Sequence, residues 1–310
     1  MGSWNETCFI SKLPIVYGEP IVMILLRGWK EVTHDYAPEQ FDVDTIWSPL
    51  GLPIYGTYDG CGGIEDIDNE KEVAQYLSTV PFETEYNEAP TEVTTDNLIH
   101  FLNCAVVDSY TCTDTTYKGE ELQYDIKSII IKRSLYDLLL NHFGNRKIYK
   151  IDDNYHRVET DKTIHTALDE RLSKAFDAIA AKLKEGADYD ETITWWMAIA
   201  AHGLPYVEGS ELHTKNSTIE YLAKQYYETH DATTLDHLKE IIIFRWILIT
   251  LRLGYGTYSG RNNQSEERLI HRVVAQFILD EVQRYIEQCR DEDNDNCSDE
   301  LLLSDIPEFL

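Results

Sequence analysis

Two spacings of apolar residues divide the chain. Up to about residue 155 they come in short β-branched runs broken by glycine and proline, and beyond it they recur every three to four positions. In "LPIVYGEPIVMILL" (13–26) two such runs flank Tyr17-Gly18-Glu19-Pro20, which predicts a hairpin: Gly18 can take positive φ and Pro20 opens the return strand. The stretch "SPLGLPIYGTYDGCGGIEDI" (48–67) repeats the idea, with "LPIYGTY" entering an Asp59–Gly63 turn and "IEDI" leaving it. "EKEVAQYLSTV" (70–80) suits a short helix that stops before Pro81. The acidic, proline-bearing segment 80–96 reads as an exposed loop or sheet edge. "DIKSIIIKRSLYDLLLNHFGN" (125–145) predicts a buried strand at Ser128–Ile131 running into a helix that ends near Gly144.

The second spacing predicts a helical bundle. In "TALDERLSKAFDAIAAKLKEG" the residues Leu168, Leu172, Phe176, Ile179 and Leu183 share one face, with Thr166 as cap and Gly186 as stop. Further helices are expected at 191–203 and 217–230. "TTLDHLKEIIIFRWILITLRLG" (233–254) is apolar nearly all round in its second half, which marks a central, buried helix. A last helix spans 265–289, capped by Ser265. The fold class expected is therefore α+β: a β-rich part with hairpins over 1–155, a helical part over 156–290 and an acidic tail over 291–310.

Charge changes this picture most. Asp and Glu number 55 against 27 Lys and Arg, a net of −28 with neutral histidine. Residues 41–100 hold 13 acids and one base, Lys71, and residues 291–310 hold eight acids and none. Such a field repels phosphate backbones and anionic lipids, so neither direct nucleic-acid binding nor a membrane surface is expected, and a basic partner is. The run 241–251 is too short for a bilayer span and contains Arg245. Six scattered cysteines without a CxxC pair, behind an N-terminus lacking a leader pattern, predict reduced packing thiols in a cytosolic protein.

Candidate chemistry is thin. "GCGG" (60–63) lacks the following helix and lysine of a phosphate cradle, and "GYGTYSGRNN" (254–263) has its glycines at the wrong offsets. The acids Asp59, Glu65 and Asp66 around Cys61 oppose a thiolate. "DEDNDNCSDELL" from Asp291 begins like a calcium loop but has Asn296 in place of glycine and Leu302 in place of the final glutamate. His230, Asp231 and His237 straddle a helix break and read as surface or capping residues, and Asp42/Asp44, Asp66/Asp68 and Asp188/Asp190 are chance pairs in so acidic a chain. Neither catalytic residue, cofactor nor metal is expected. The contact candidates are the acids Asp59, Glu65, Asp66, Asp68, Glu70 and Glu72 and the loop residues Tyr255, Tyr258 and Arg261.

"CFISKLPIVYGEPIVMILLRG" and "SPLGLPIYGTYDGCGGIEDI" resemble an uncharacterised group of accessory proteins of tailed bacteriophages. These begin with a Cys-x-x-Ser-x-Leu-Pro-Ile segment and carry a Leu-Pro-Ile…Gly-x-Tyr-Asp…Gly-Gly-Ile-Glu segment soon after; "GRNNQSEERLIH" is similar more loosely. The resemblance covers roughly 45 residues and transfers no catalytic residue. It implies a viral protein working in the host cytoplasm. In that context an acidic, site-poor chain is expected to be a homo-oligomeric, non-enzymatic inhibitor of a host defence complex, with a basic nucleic-acid-binding nuclease as partner. Size and charge, not a matched motif, suggest inhibitors of the Gabija system as the type. The alternatives are a metal-assisted hydrolase with a cleft between the two parts, and a virion accessory protein.

Overall fold

The computed structural model describes residues 6–29, 46–84, 88–105, 110–115, 121–151, 157–202, 217–250 and 264–291. Its N-terminal half is built on a seven-stranded antiparallel sheet of β1 (Pro20–Trp29), β2 (Ile46–Pro49), β3 (Ile54–Tyr58), β4 (Ile64–Glu65), β5 (Phe82–Thr84), β6 (Tyr110–Thr115) and β7 (Glu121–Lys132). The order is β4-β3-β1-β7-β6-β5, with β2 also against β1. Ile21 to Leu26 of β1 are all buried, so the strand is covered on both faces. One edge of β1 pairs with β7 from Ile21↔Lys132 to Gly28↔Asp125. The other edge is shared by β3 (Met23↔Ile54) and β2 (Leu26↔Pro49), and between these pairs residues 50–53 bulge out opposite Ile24 and Leu25.

This pairing overturns the hairpin expected at 13–26. Both edges of β1 are occupied, so Leu13–Val16 has no edge to join; the segment is instead tied down by Thr7↔Pro14 bridging and by Ile15 N–H donating to Glu6 O at 2.8 Å. The turn itself forms, with Gly18 at φ 76°. The β3–β4 hairpin forms as expected, and β5 is the sheet edge within the segment read as loop or edge. The strand expected at Ser128–Ile131 is the end of the much longer β7.

Around the sheet lie α1 (Glu70–Leu77), α2 (Leu98–Ala105) and α3 (Arg133–Gly144). A small sheet of β8 (Lys147–Ile151) and β9 (Arg157–Thr163) leads into α4 (Ile164–Lys184), α5 (Tyr189–His202), α6 (Ser217–Thr229), α7 (Ala232–Thr250) and α8 (Gln264–Asp291). The class is α+β, as the two spacings predict. Gly186, at φ 86°, ends α4. Its cap is Thr163, not Thr166: Thr166 sits at the third helical position and the two exchange side-chain to backbone hydrogen bonds, a capping box. Likewise α8 starts at Gln264, which puts Ser265 inside the helix. In α7 every residue from Ile241 to Leu248 is buried, the central helix expected. It packs on α3, α6 and β2, and buried side chains of sheet and helices form one connected core.

Candidate functional site

The acidic contact candidates of the sequence fall on the β3–β4–α1 segment, and its backbone is fixed locally. Asp59 Oδ1 accepts the N–H groups of Cys61 and Gly63, both at 2.8 Å, so this carboxylate organises the glycine turn and is spent inside it. Gly63 is required by close approach: a β-carbon there would lie 2.3 Å from Asn103 Oδ1. Cys61 is exposed at the tip, whereas Cys112 is buried and its thiol is pushed up to about 11 by that burial.

Beyond the turn, Glu65 is half-buried in β4, while Asp66, Asp68, Glu70 and Glu72 are exposed in succession. Glu70 and Glu72 occupy the first turn of α1, where the helix dipole favours acids. Asn69 does not cap this helix with its side chain. It accepts from Tyr55 N–H (3.2 Å) and donates to Pro53 O (2.8 Å), while Asp68 N–H donates to Tyr55 O (2.8 Å). The acidic ridge is thereby stapled to β3.

Under the ridge lies a polar column that sequence reasoning missed. Arg133, first residue of α3, donates to Asp68 Oδ2 at 2.6 Å and sits 4.7 Å from the centroid of the Tyr55 ring. The Tyr55 hydroxyl donates to Glu240 of α7. Tyr136 of α3 packs edge-on to Tyr55 and against Phe244; its hydroxyl is buried beside the same carboxyl group without a well-formed hydrogen bond of its own. Burial raises the pKa of Glu240, against the lowering effect of the tyrosine hydroxyls. Burial and then the Glu240 charge push the Tyr55 phenol far up. Asp137 is raised by burial too, and Arg133 opposes it. The column shifts its carboxyl and phenol groups toward their protonated forms and joins β3, α3 and α7. The one available signal was Glu240 itself, an acid at the threshold of an apolar run.

The other titratable candidates are structural. Asp231 caps α7, accepting from Thr234 N–H (2.8 Å) and Oγ1 (2.9 Å), and these bonds hold its carboxyl below the usual range. Asp188 accepts from Glu191 N–H, and Asp190 pairs with Lys224 at 2.8 Å. Tyr255, Tyr258, Arg261, Asp42, Asp44 and the segment after Asp291 lie outside the described residues. Among the described residues, no three His, Cys, Asp or Glu side chains cluster as a metal site, and no helix is long and apolar enough to cross a membrane. Comparison of the chain with protein-family models, with curated proteins and with solved structures found no match.

Proposed function

We propose that the chain is a non-enzymatic inhibitor, phage-encoded and acting in the host cytoplasm, that binds the basic nucleic-acid-binding face of a host defence nuclease. The reading rests on the exposed acids Asp66, Asp68, Glu70 and Glu72, held on a backbone stapled to β3 in a chain of net charge −28. Carboxylates carried on a tied-down backbone present negative charge to a basic face with less backbone ordering cost on binding than a free loop would pay. Their field speeds encounter with a basic partner and fades with salt. Lys71 and Arg133 offset only part of this charge.

The test is affinity capture from host lysate by the immobilised chain, at low and at high salt, beside the triple variant Asp66→Lys/Glu70→Lys/Glu72→Lys. A basic nucleic-acid-binding protein should be held at low salt, released at high salt and missed by the variant. Capture of no such protein, or capture that the triple variant leaves intact, rejects the reading.

A further inference from the structure

We infer that Cys104 is a covalent modification site: a thiol set against the imidazole of His100 that exchanges with small-molecule disulfides. Its surroundings differ from those of the chain's other described thiols. Cys8 and Cys112 are buried and Cys61 is exposed at the tip of the glycine turn, whereas Cys104 is half-buried near the end of α2. The i, i+4 spacing on that helix brings it to His100, with Sγ 3.8 Å from Nδ1 and 4.0 Å from Nε2. A third group orients the ring. His100 Nε2 lies 3.3 Å from the carbonyl oxygen of Glu88, which can only accept, so in the neutral ring Nε2 carries the proton and Nδ1, the nitrogen nearer the thiol, is the free acceptor. The segment that supplies this carbonyl is held in turn by the Tyr110 hydroxyl donating to Pro90 O at 2.9 Å and by Asn97 Nδ2 donating to Glu92 O at 2.8 Å. A nucleophile, a base within reach of it and a group that orients the base make up the arrangement of an activated thiol.

The reaction balances between this pair and a disulfide. Nδ1 takes the Cys104 proton as Sγ attacks one sulfur of the disulfide, the S–S bond breaks, and the leaving thiolate takes the proton back from the imidazolium. Cys104 ends oxidised in a mixed disulfide, and the other half of the reagent ends as a reduced thiol. The negative field of the chain, which opposes an isolated thiolate, acts here on a thiolate–imidazolium pair without net charge. The neighbouring titratable group on β6 is Tyr110, whose phenol is pushed up to about 12, by burial first and then by Cys104, so it keeps its own proton throughout.

Incubation of the full, reduced chain with oxidised glutathione, followed by intact mass and peptide mapping of each cysteine, tests this. Cys104 should take up one glutathionyl group faster than Cys61 does, although Cys61 is the more exposed. His100→Gln, a change at an exposed position, should slow Cys104 about tenfold or more, since a positioned base is worth about 10²–10⁴-fold, and should leave Cys61 unchanged. An imidazole gives up its proton about two pH units below a thiol, so from about pH 7 to about pH 8 the wild-type rate should flatten while the variant's still climbs. The buried Cys112 should stay unlabelled in both, which reports an intact fold. Cys104 reacting more slowly than Cys61, or a Cys104 rate that His100→Gln leaves unchanged, overturns the inference. The readout is a mass on one residue, so neither outcome bears on the acidic ridge.

Discussion

Gly51→Ala puts the junction of sheet and helices to a quantitative test. Gly51 lies in the bulge between β2 and β3 at φ 89°, and its N–H donates to Thr218 Oγ1 at 2.9 Å. A left-handed backbone costs an L-residue about 1–2 kcal/mol. The added methyl would also meet Tyr76 ring carbons at 3.1 and 3.2 Å. Tyr76 cannot swing away freely, since it is 1% exposed, its hydroxyl is bonded to Thr218 Oγ1 at 3.0 Å, and its ring lies edge-on to Tyr221 at 5.0 Å. Overpacking of that kind costs about 1–3 kcal/mol, so the two effects together come to about 2–5 kcal/mol. Gly186→Ala is the control: φ is 86°, nearly the same, but no atom lies within 4 Å of the new methyl, so only the backbone part applies. Urea denaturation of both variants and wild type measures the two losses. Gly51→Ala should lose more than Gly186→Ala by the packing part, about 1–3 kcal/mol. Equal losses, or a smaller loss at Gly51, would refute the idea that Tyr76 is immobile there.

Other consequences are as direct. Thr218→Val strips the buried Gly51 N–H of its acceptor and Tyr76 of its nearer hydroxyl partner, a loss of about 1–3 kcal/mol by denaturant midpoint. Adding Tyr76→Phe should recover part of it, and full additivity would contradict the coupling. The folded state raises the pKa of Glu240, so it binds that proton more tightly than the unfolded chain does. The stability this group contributes is then present in acid and is lost as pH rises through and above the ordinary glutamate range. Glu240→Gln removes that dependence, so urea midpoints should show the variant gaining on wild type from about pH 4 to pH 7; a difference constant across pH would contradict it. Asp68→Asn breaks a pair whose side chains are 58% and 40% exposed, and should change stability by less than about 1 kcal/mol in the same assay.

Spacing and turn chemistry made much of this architecture readable in advance. The β3–β4 hairpin, α1, the buried α7 and the stop at Gly186 all follow from residues close together in sequence. Errors came where a distant strand competed. The run Leu13–Val16 reads as a hairpin arm, but β3 and, more than 100 residues on, β7 hold the two edges of β1 beside which that arm would lie. The strand β6 and the β8–β9 pair escaped notice because their residues, "YTCTDT" and "RVETDKT" among them, are polar enough to pass for loop.

The acids of the ridge were equally plain in the sequence, since charge is a property of composition and a run of exposed carboxylates needs no fold to be counted. Their anchorage was not. Nothing near Asp68 announces Arg133, and nothing near Tyr55 announces Glu240, 185 positions away. The class of fold, the sign of the field and the positions of the acids were legible from the residues alone, because these depend on local propensity and on charge. Which edge of β1 each strand takes, which acids of the ridge stay exposed and what anchors them came from packing, because each depends on what lies against a residue from elsewhere in the chain.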